Sequence, residues 1–173
     1  RDGYSHDAMA PQAQAIRTDQ PITIDGLLDE PTWMTAHAIT EFRQTIPDEG
    51  QPVSEETEVR LLYDDDFIYV GAWLWDEGEV FNRLARRDAA VPDADFFVVL
   101  FDSYHDHRTA YRFGTWPSGV KKDQILIAGG GLQDTSWDPV WDLDTMFTDQ
   151  GWFVEMRIPF SQLRYGESQV QNW

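Results

Sequence analysis

The chain has 173 residues, which suits a single domain and is long enough to bury a sizeable core. Its 42% hydrophobic and 14% aromatic residues are typical of a packed, β-rich protein and exclude a disordered one. Thirteen basic against 31 acidic residues give a net charge of -18, which argues against nucleic acid and anionic membrane surfaces as partners. The absence of cysteine excludes disulfides and thiolate metal sites.

The first part of the chain predicts little regular structure. Residues 1–19 are polar, and we interpret them as a flexible lead-in to one domain that spans residues 20–173. A short strand is predicted at residues 22–24, followed by a turn at Asp25 and Gly26. One short helix should follow, capped by Asp29 and with Pro31 in its first turn.

From residue 57 the pattern is almost entirely that of β-strands. Residues 57–76 predict two strands joined by an aspartate-rich turn at residues 64–66. The second of these strands is apolar on both faces, which indicates a central position in its sheet. Residues 95–102 form another strand that is apolar on both faces, and no apolar run reaches the roughly 18 residues of a membrane-spanning helix. We therefore expect no direct membrane insertion by this domain.

The rest of the chain continues with short strands. Residues 108–116 alternate between aromatic and arginine side chains, and three further strands follow at residues 120–128, 137–147 and 152–160. At least seven strands with turn residues between them predict an all-β fold. We expect an antiparallel β-sandwich of the jelly-roll or immunoglobulin-like type, with one short helix near the N-terminus.

The segment FDSYHDHRTAYRF, residues 101–113, concentrates polar side chains between two strands. His105 and His107, with Asp102 and Asp106, offer ligands that a transition metal accepts. Because alternate residues of a hairpin point to opposite sides, we interpret the two histidines as solvated turn residues instead.

Signals of catalysis are weak in this sequence. It has no serine on a G-x-S-x-G elbow, and its GGG segment at residues 129–131 lacks the lysine and hydroxyl of a phosphate-binding loop. A carboxylate pair for glycoside hydrolysis stays open, because acidic residues are numerous and their separations are not visible in sequence. We predict that the domain is not an enzyme.

Three tryptophans stand beside polar residues and suggest sugar recognition. An indole offers an apolar platform for the C–H face of a pyranose, and neighbouring carboxylates and amides accept its hydroxyls. The alternative is that these indoles anchor the core of the sandwich. The residues concerned are Trp116, Trp137 and Trp141.

A structural calcium ion is a further hypothesis. Asp134 and Asp138 lie beside a glycine-rich loop that can offer backbone carbonyls, and calcium prefers such oxygen ligands. No EF-hand spacing is present, and no organic cofactor is expected.

Several segments occur in an order that resembles a known family. They are ITIDGLLDEPTW, TEVRLLYDDDFIYVGAWLWD, RRD, FFVVLFDSYHDHRTAYRF, SWDPVWD and GWFVEMRIPFSQLRYG, and they cover nearly all of the chain from Ile22 onward. Together they resemble the carbohydrate family 9 binding domain-like module at the N-terminal end of large bacterial envelope proteins. The resemblance implies a β-sandwich, related also to DOMON-like domains, in a periplasmic, outer-membrane-associated or extracellular setting.

The resemblance also implies a sugar site, in which two tryptophans clamp the end of a glycan beside an arginine. Arg112 matches that arginine, whereas Gly114 stands at the position of an asparagine. Pro92 and Val98 stand where sugar binders carry a tryptophan and a glutamate. The full set of candidate binding residues is Arg112, Trp137, Trp141, Trp116, Arg86, Arg87 and Asp88.

The leading hypothesis is therefore a non-catalytic carbohydrate-binding-like module whose partner is a polysaccharide or oligosaccharide. The alternative is a structural domain that docks on the C-terminal region of its own polypeptide without binding sugar. Since the resembling proteins continue with another strand beyond Trp173, we expect this chain to be a fragment of a longer protein with an open sheet edge.

Overall fold

Two β-sheets form the body of the protein in a computed structural model that describes residues 12–76, 78–89 and 93–173. The strands are β1 (Ile16–Arg17), β2 (Thr57–Tyr63), β3 (Phe67–Trp75), β4 (Phe97–Phe101), β5 (Ala110–Thr115), β6 (Lys121–Ile127), β7 (Leu132–Asp134), β8 (Asp142–Thr148) and β9 (Gly151–Pro159). The first sheet has the strand order β1-β2-β3-β9-β8 and the second the order β4-β5-β6-β7. β1 runs parallel to β2, and the other pairings are antiparallel.

The predicted all-β sandwich is confirmed. β2 and β3 form the expected hairpin, in which Oδ1 of Asp64 accepts hydrogen bonds from the backbone N–H groups of Asp66 and Phe67, both at 2.8 Å. β3 lies in the middle of the first sheet, between β2 and β9, as its two apolar faces indicate. The one predicted helix is a 3₁₀ helix, Pro31–Thr35, and a second short one follows β9 at Phe160–Gln162.

The main core fills the space between the two sheets. Val70 on β3 and Val154 and Met156 on β9 are fully buried, and they belong to the same apolar cluster as Phe113 on β5. Alternation along each strand sends these side chains inward, and full burial of one such side chain contributes about 1.5–3 kcal/mol. The opposite side chains of each strand therefore face away from this core.

A second core covers the outer face of the first sheet. Trp33 of the 3₁₀ helix is fully buried over Gly71, where an added Cβ would lie 2.9 Å from the indole ring. Glu155 on β9 is also fully buried, and it accepts hydrogen bonds from the backbone N–H groups of Asp25 and Gly26 and from Nε1 of Trp33. This carboxyl group holds the N-terminal segment on the sheet.

Four details of the N-terminal and connecting segments differ from the sequence predictions. Ile16–Arg17 pairs with β2 and is not part of a flexible lead-in, while residues 1–11 lie outside the described residues. Residues 22–24 form no strand, because their partner surface is the face of the sheet and not an edge. The 3₁₀ helix follows Glu30, not Asp29, and Leu132–Asp134 forms β7 within a predicted connection.

The strand that is apolar on both faces at residues 97–101 has a different position from β3. β4 lies at the edge of the second sheet, and Leu100 on its outer face is 50% exposed. Apolar content alone therefore did not distinguish an edge strand from a central one. Among the described residues, no helix has the length and apolar character to span a membrane.

Candidate functional site

Arg112 lies on the outer face of the second sheet, pointing away from the main core. It sits on β5 directly between Leu100 of β4 and Gln124 of β6. Its Nη1 donates a hydrogen bond to Oε1 of Gln124 at 3.2 Å, and its Nε has no partner among the described residues. Burial lowers the pKa of the Arg112 guanidinium, although arginine stays charged at neutral pH.

An aromatic ring lies beside this arginine. The Cζ atom of Arg112 is 5.4 Å from the centroid of the Phe96 ring, which is half-buried. The ring occupies the space over Gly114, where an added Cβ would lie 2.4 Å from the Phe96 Cζ atom. The glycine at the asparagine position of the family motif therefore makes room for Phe96. The result is a guanidinium and an apolar ring side by side.

Trp116 packs against Phe96 beneath this surface. Its ring centroid is 4.8 Å from that of Phe96, and Nζ of Lys122 lies 5.8 Å from the indole centroid. Trp116 is only 4% exposed, so it supports Phe96 and offers no open stacking face of its own. We call the surface formed by Phe96, Arg112, Gln124, Trp116 and Lys122 the outer-face site.

Trp141 lies on the opposite side of the second sheet. It is 2% exposed, packs its ring 5.2 Å from that of Phe113, and donates from Nε1 to Oδ1 of Asp123 at 2.9 Å. Asp123 is fully buried, and burial raises the pKa of its carboxyl group. The expectation of an open indole platform at Trp141 is wrong, since a buried indole cannot stack on a sugar.

The RRD segment, residues 86–88, makes hydrogen bonds to the same residue, Asp123. Nη2 of Arg87 donates to Oδ1 of Asp123 and to the carbonyl of Pro139. Oδ1 of Asp88 accepts the backbone N–H of Asp123, and the Asp88 N–H donates to the carbonyl of Lys121, so this segment satisfies part of the β6 edge. Arg86 is exposed. The prediction that the RRD side chains neighbour Arg112 therefore fails, because β6 separates them.

Trp137 lies on the inner side as well, but closer to the solvent. Its ring is half-buried and packs against Tyr111 and Phe113, with centroid distances of 5.1 and 5.4 Å. It therefore does not join Arg112 in one site. One side of the indole borders an open cleft of about 360 Å³.

Residues 102–109, which join β4 to β5 and which we call the histidine loop, have a more defined geometry than a solvated turn. His105 and His107 both adopt positive φ angles, near 52° and 54°, and their rings lie side by side with centroids 4.8 Å apart. The expectation that they point to opposite sides is wrong, because the left-handed backbone breaks the alternation of a hairpin. Both side chains are exposed, as predicted for a turn.

The calcium hypothesis stays a prediction. Oδ1 of Asp134 accepts hydrogen bonds from N and Oγ of Ser136, and Oδ1 of Asp138 lies 2.8 Å from Nη2 of Arg87. Within the described residues, no three side chains of His, Cys, Asp or Glu are grouped so as to hold a metal ion. Calcium bound here would rely on backbone carbonyls for most of its ligands.

Phe96 and Gln124 are the residues that sequence reasoning missed. Gln124 could have been found from the hairpin turn at residues 116–120. Counting outward from that turn along both strands pairs Thr115 with Lys121 and Arg112 with Gln124. Phe96 carried no comparable signal, because its ring reaches Arg112 from outside the strand. Pro92, the other position compared with the family, lies outside the described residues.

Solved structures of other proteins share this architecture, although the sequence comparisons found no match. No family model matches the sequence, and no curated protein matches it either. Two solved structures of a family 9 carbohydrate-binding module from Caldicellulosiruptor kristjanssonii are similar, each at 18% identity. The one in complex with cellotriose has a TM-score of 0.58 and is matched over 84% of this chain and 66% of its own.

The second structure, in complex with glucose, has a TM-score of 0.60 and is matched over 87% of this chain and 70% of its own. The chain thus spans about two thirds of the length of these modules. Identity at this level shows the fold alone, and that fold agrees with the resemblance seen in the sequence. The chain folds as a domain like the family 9 carbohydrate-binding modules.

Proposed function

We propose that the domain binds a saccharide at the outer-face site and catalyses no reaction on it. The observation that carries the proposal is Arg112. In a chain with 31 acidic residues, no carboxylate pairs with this guanidinium among the described residues, and its one side-chain partner is the neutral amide of Gln124. Its Nε is buried, but its Nη2 has no hydrogen-bond partner among the described residues and can donate to hydroxyl groups, to which a charged donor bonds about twice as strongly as a neutral one.

The surroundings of Arg112 suit a sugar ring. Phe96 places an apolar ring beside the guanidinium, and the buried Gln124 on the adjacent strand orients that guanidinium by accepting a hydrogen bond from its Nη1. A pyranose has an apolar C–H face and a hydroxyl rim, so it matches a ring next to polar donors. The similar modules in complex with cellotriose and glucose support this ligand class.

The test is affinity electrophoresis and calorimetric titration with cellotriose, glucose, xylan and β-glucans. Arg112→Ala should weaken binding by about tenfold or more, since bonds to a charged group contribute about 1.5–3 kcal/mol. Arg112→Lys, which keeps the charge but loses the planar fork, should restore only part of the affinity. Arg43→Ala is the matched control, because Arg43 is exposed and belongs to another part of the fold.

Two results would contradict the proposal. One is the absence of binding to every saccharide tested by the wild-type domain. The other is an equal affinity of the Arg112→Ala and wild-type domains. That result would show that saccharide does not bind at the outer-face site, even if it binds elsewhere.

We also propose a setting for this function. The domain works in the periplasm, at the outer membrane or outside a bacterial cell, as part of a longer envelope protein. The sequence resemblance supports this setting. Cell fractionation of a bacterium that produces the full protein tests it, and recovery in the cytoplasm would contradict it.

A docking function on the C-terminal region of the same polypeptide is the second candidate. The observation that favours it is the burial of Trp116 and Trp141, which act as packing elements and not as sugar platforms. Pull-down of the isolated domain by the separately produced C-terminal region would support docking. Loss of that interaction should then follow from substitution of exposed apolar residues such as Leu100, and not from Arg112→Ala.

A further inference from the structure

A cleft opens at the end of the sandwich where the histidine loop meets the segment after β9. It has a volume of about 360 Å³, within the range of about 300–1,000 Å³ that small-molecule sites occupy. Ile125 and Ile127 of β6 border it on the apolar side. Its other lining residues include Tyr104, Thr109, Tyr111, Trp137, Gln162 and Arg164.

The walls of this cleft are tied together by hydrogen bonds. Oγ of Ser103 donates to the carbonyl of Arg164, which joins the histidine loop to the segment after β9. Oε1 of Gln162 accepts the backbone N–H of Val140 at 3.1 Å, which joins that segment to the Trp137 region. A cleft with cross-linked walls loses little conformational freedom when a ligand enters it.

The histidine loop itself is also held rigidly. The two carboxylate oxygens of Asp102 accept the backbone N–H groups of Asp106 and His107, at 3.0 and 2.7 Å. Oδ1 of Asp106 accepts those of Arg108 and Thr109, at 2.7 and 2.8 Å. The polar residues of this loop thus have a structural role: they fix the wall that carries Tyr104 and Thr109.

The floor of the cleft offers a ring with an open side. Trp137 is backed by Tyr111 and Phe113, and its Nε1–H donates no hydrogen bond among the described residues. Tyr104, which is 52% exposed, stands on the rim. Tyr111 and Arg164 line the same cleft. Burial raises the pKa of the Tyr111 hydroxyl, and Arg164 opposes that rise.

We infer that this cleft is a second saccharide site, in which one pyranose ring lies against Trp137 with its hydroxyls toward Tyr104, Thr109 and Arg164. A purely apolar ligand would leave those polar groups without partners, whereas a hydroxyl-rich ring satisfies them. The site is separate from the outer-face site, since the second sheet lies between Trp137 and Arg112. It therefore goes beyond the proposed function.

The experiment follows the indole N–H resonance of Trp137 by NMR during titration with glucose and with cellotriose. Trp137→Phe assigns the resonance by removing it. We expect a saturable shift of this resonance in the wild-type domain. In Tyr104→Ala, the affinity obtained from that shift should be about fivefold to tenfold lower. Tyr165→Ala is the matched control, because Tyr165 is similarly exposed, at 42%, and does not line the cleft.

Arg112→Ala separates this inference from the proposed function. If it leaves the Trp137 shift unchanged while Tyr104→Ala weakens it, the cleft is an independent site. If Tyr104→Ala has no effect and Arg112→Ala abolishes all binding, the cleft is not a saccharide site and the outer-face site is the one that binds. A Trp137 resonance that neither saccharide shifts also overturns the cleft, whatever happens at Arg112.

Discussion

Nε1 of Trp141 donates a hydrogen bond of 2.9 Å to Oδ1 of Asp123, and both side chains are buried inside the sandwich. Arg87 shares the same oxygen, while Oδ2 has no hydrogen-bond partner among the described residues. An acidic side chain in a core is costly unless donors surround it. Trp141 is therefore a donor to a buried carboxylate and has a structural role.

Removal of that donor should destabilise the domain. Trp141→Phe keeps an apolar ring but leaves Asp123 with one donor fewer, which should cost about 1–3 kcal/mol of unfolding free energy. Trp152→Phe is the control for lost volume, because Trp152 is also buried and donates no side-chain hydrogen bond among the described residues. Urea denaturation measures both variants. Equal losses would mean that volume, and not the hydrogen bond, decides the effect.

Glu155 should make stability depend on pH. Burial, as the largest cause, raises the pKa of this carboxyl group from about 4.5 to about 7, against the opposing effect of its hydrogen-bond donors. Between these values the folded protein holds a proton that the unfolded chain has released. Stability should therefore fall as the pH rises from about 4.5 to about 7 and change little above that, as far as this group is concerned.

Glu155→Gln isolates the contribution of this one group. Denaturant midpoints of the variant and the wild-type domain should be compared at several pH values, because other groups titrate in both. The wild-type domain should lose stability relative to the variant as the pH rises through this window. A difference between the two that does not change with pH would contradict the assignment.

Gly114 should tolerate no side chain. Gly114→Ala places a Cβ within 2.4 Å of the present Phe96 position, so the ring must move away from Arg112. We expect a loss of about 1–3 kcal/mol of stability together with weaker saccharide binding at the outer-face site. Gly131→Ala is the control, since an added Cβ there would lie 3.5 Å from its nearest neighbour, the carbonyl oxygen of Ala128. Denaturation and titration of both variants provide the measurement.

Calcium should raise the melting temperature if Asp134 and Asp138 take part in binding it. A ligand that binds only the folded state stabilises it, and in a chain of net charge -18 a cation also relieves self-repulsion. Melting should occur at a lower temperature in chelator and recover with calcium more than with magnesium. Identical melting curves in chelator and in calcium would remove the hypothesis, and Asp134→Asn should abolish the calcium effect if it is correct.

The strands and their hairpins could be predicted from the sequence because their signals are local. Two-residue alternation and turn residues mark a strand wherever it later packs, and the apolar faces of β3 correctly placed it at the centre of a sheet. Arg112 could likewise be assigned to the polar side of β5, opposite Tyr111 and Phe113. These properties follow from the chain within a few residues of each position.

The tertiary structure decided what each tryptophan does. Trp116, Trp137 and Trp141 look alike in sequence, yet the first supports the outer-face site, the second borders the cleft, and the third bonds a buried carboxylate. Those outcomes depend on which strands become neighbours and on which distant segments cover each face, as the N-terminal segment covers Gly71 and Glu155. Alternation defines two faces for every strand, but only packing between distant parts of the chain determines which face is covered and by what.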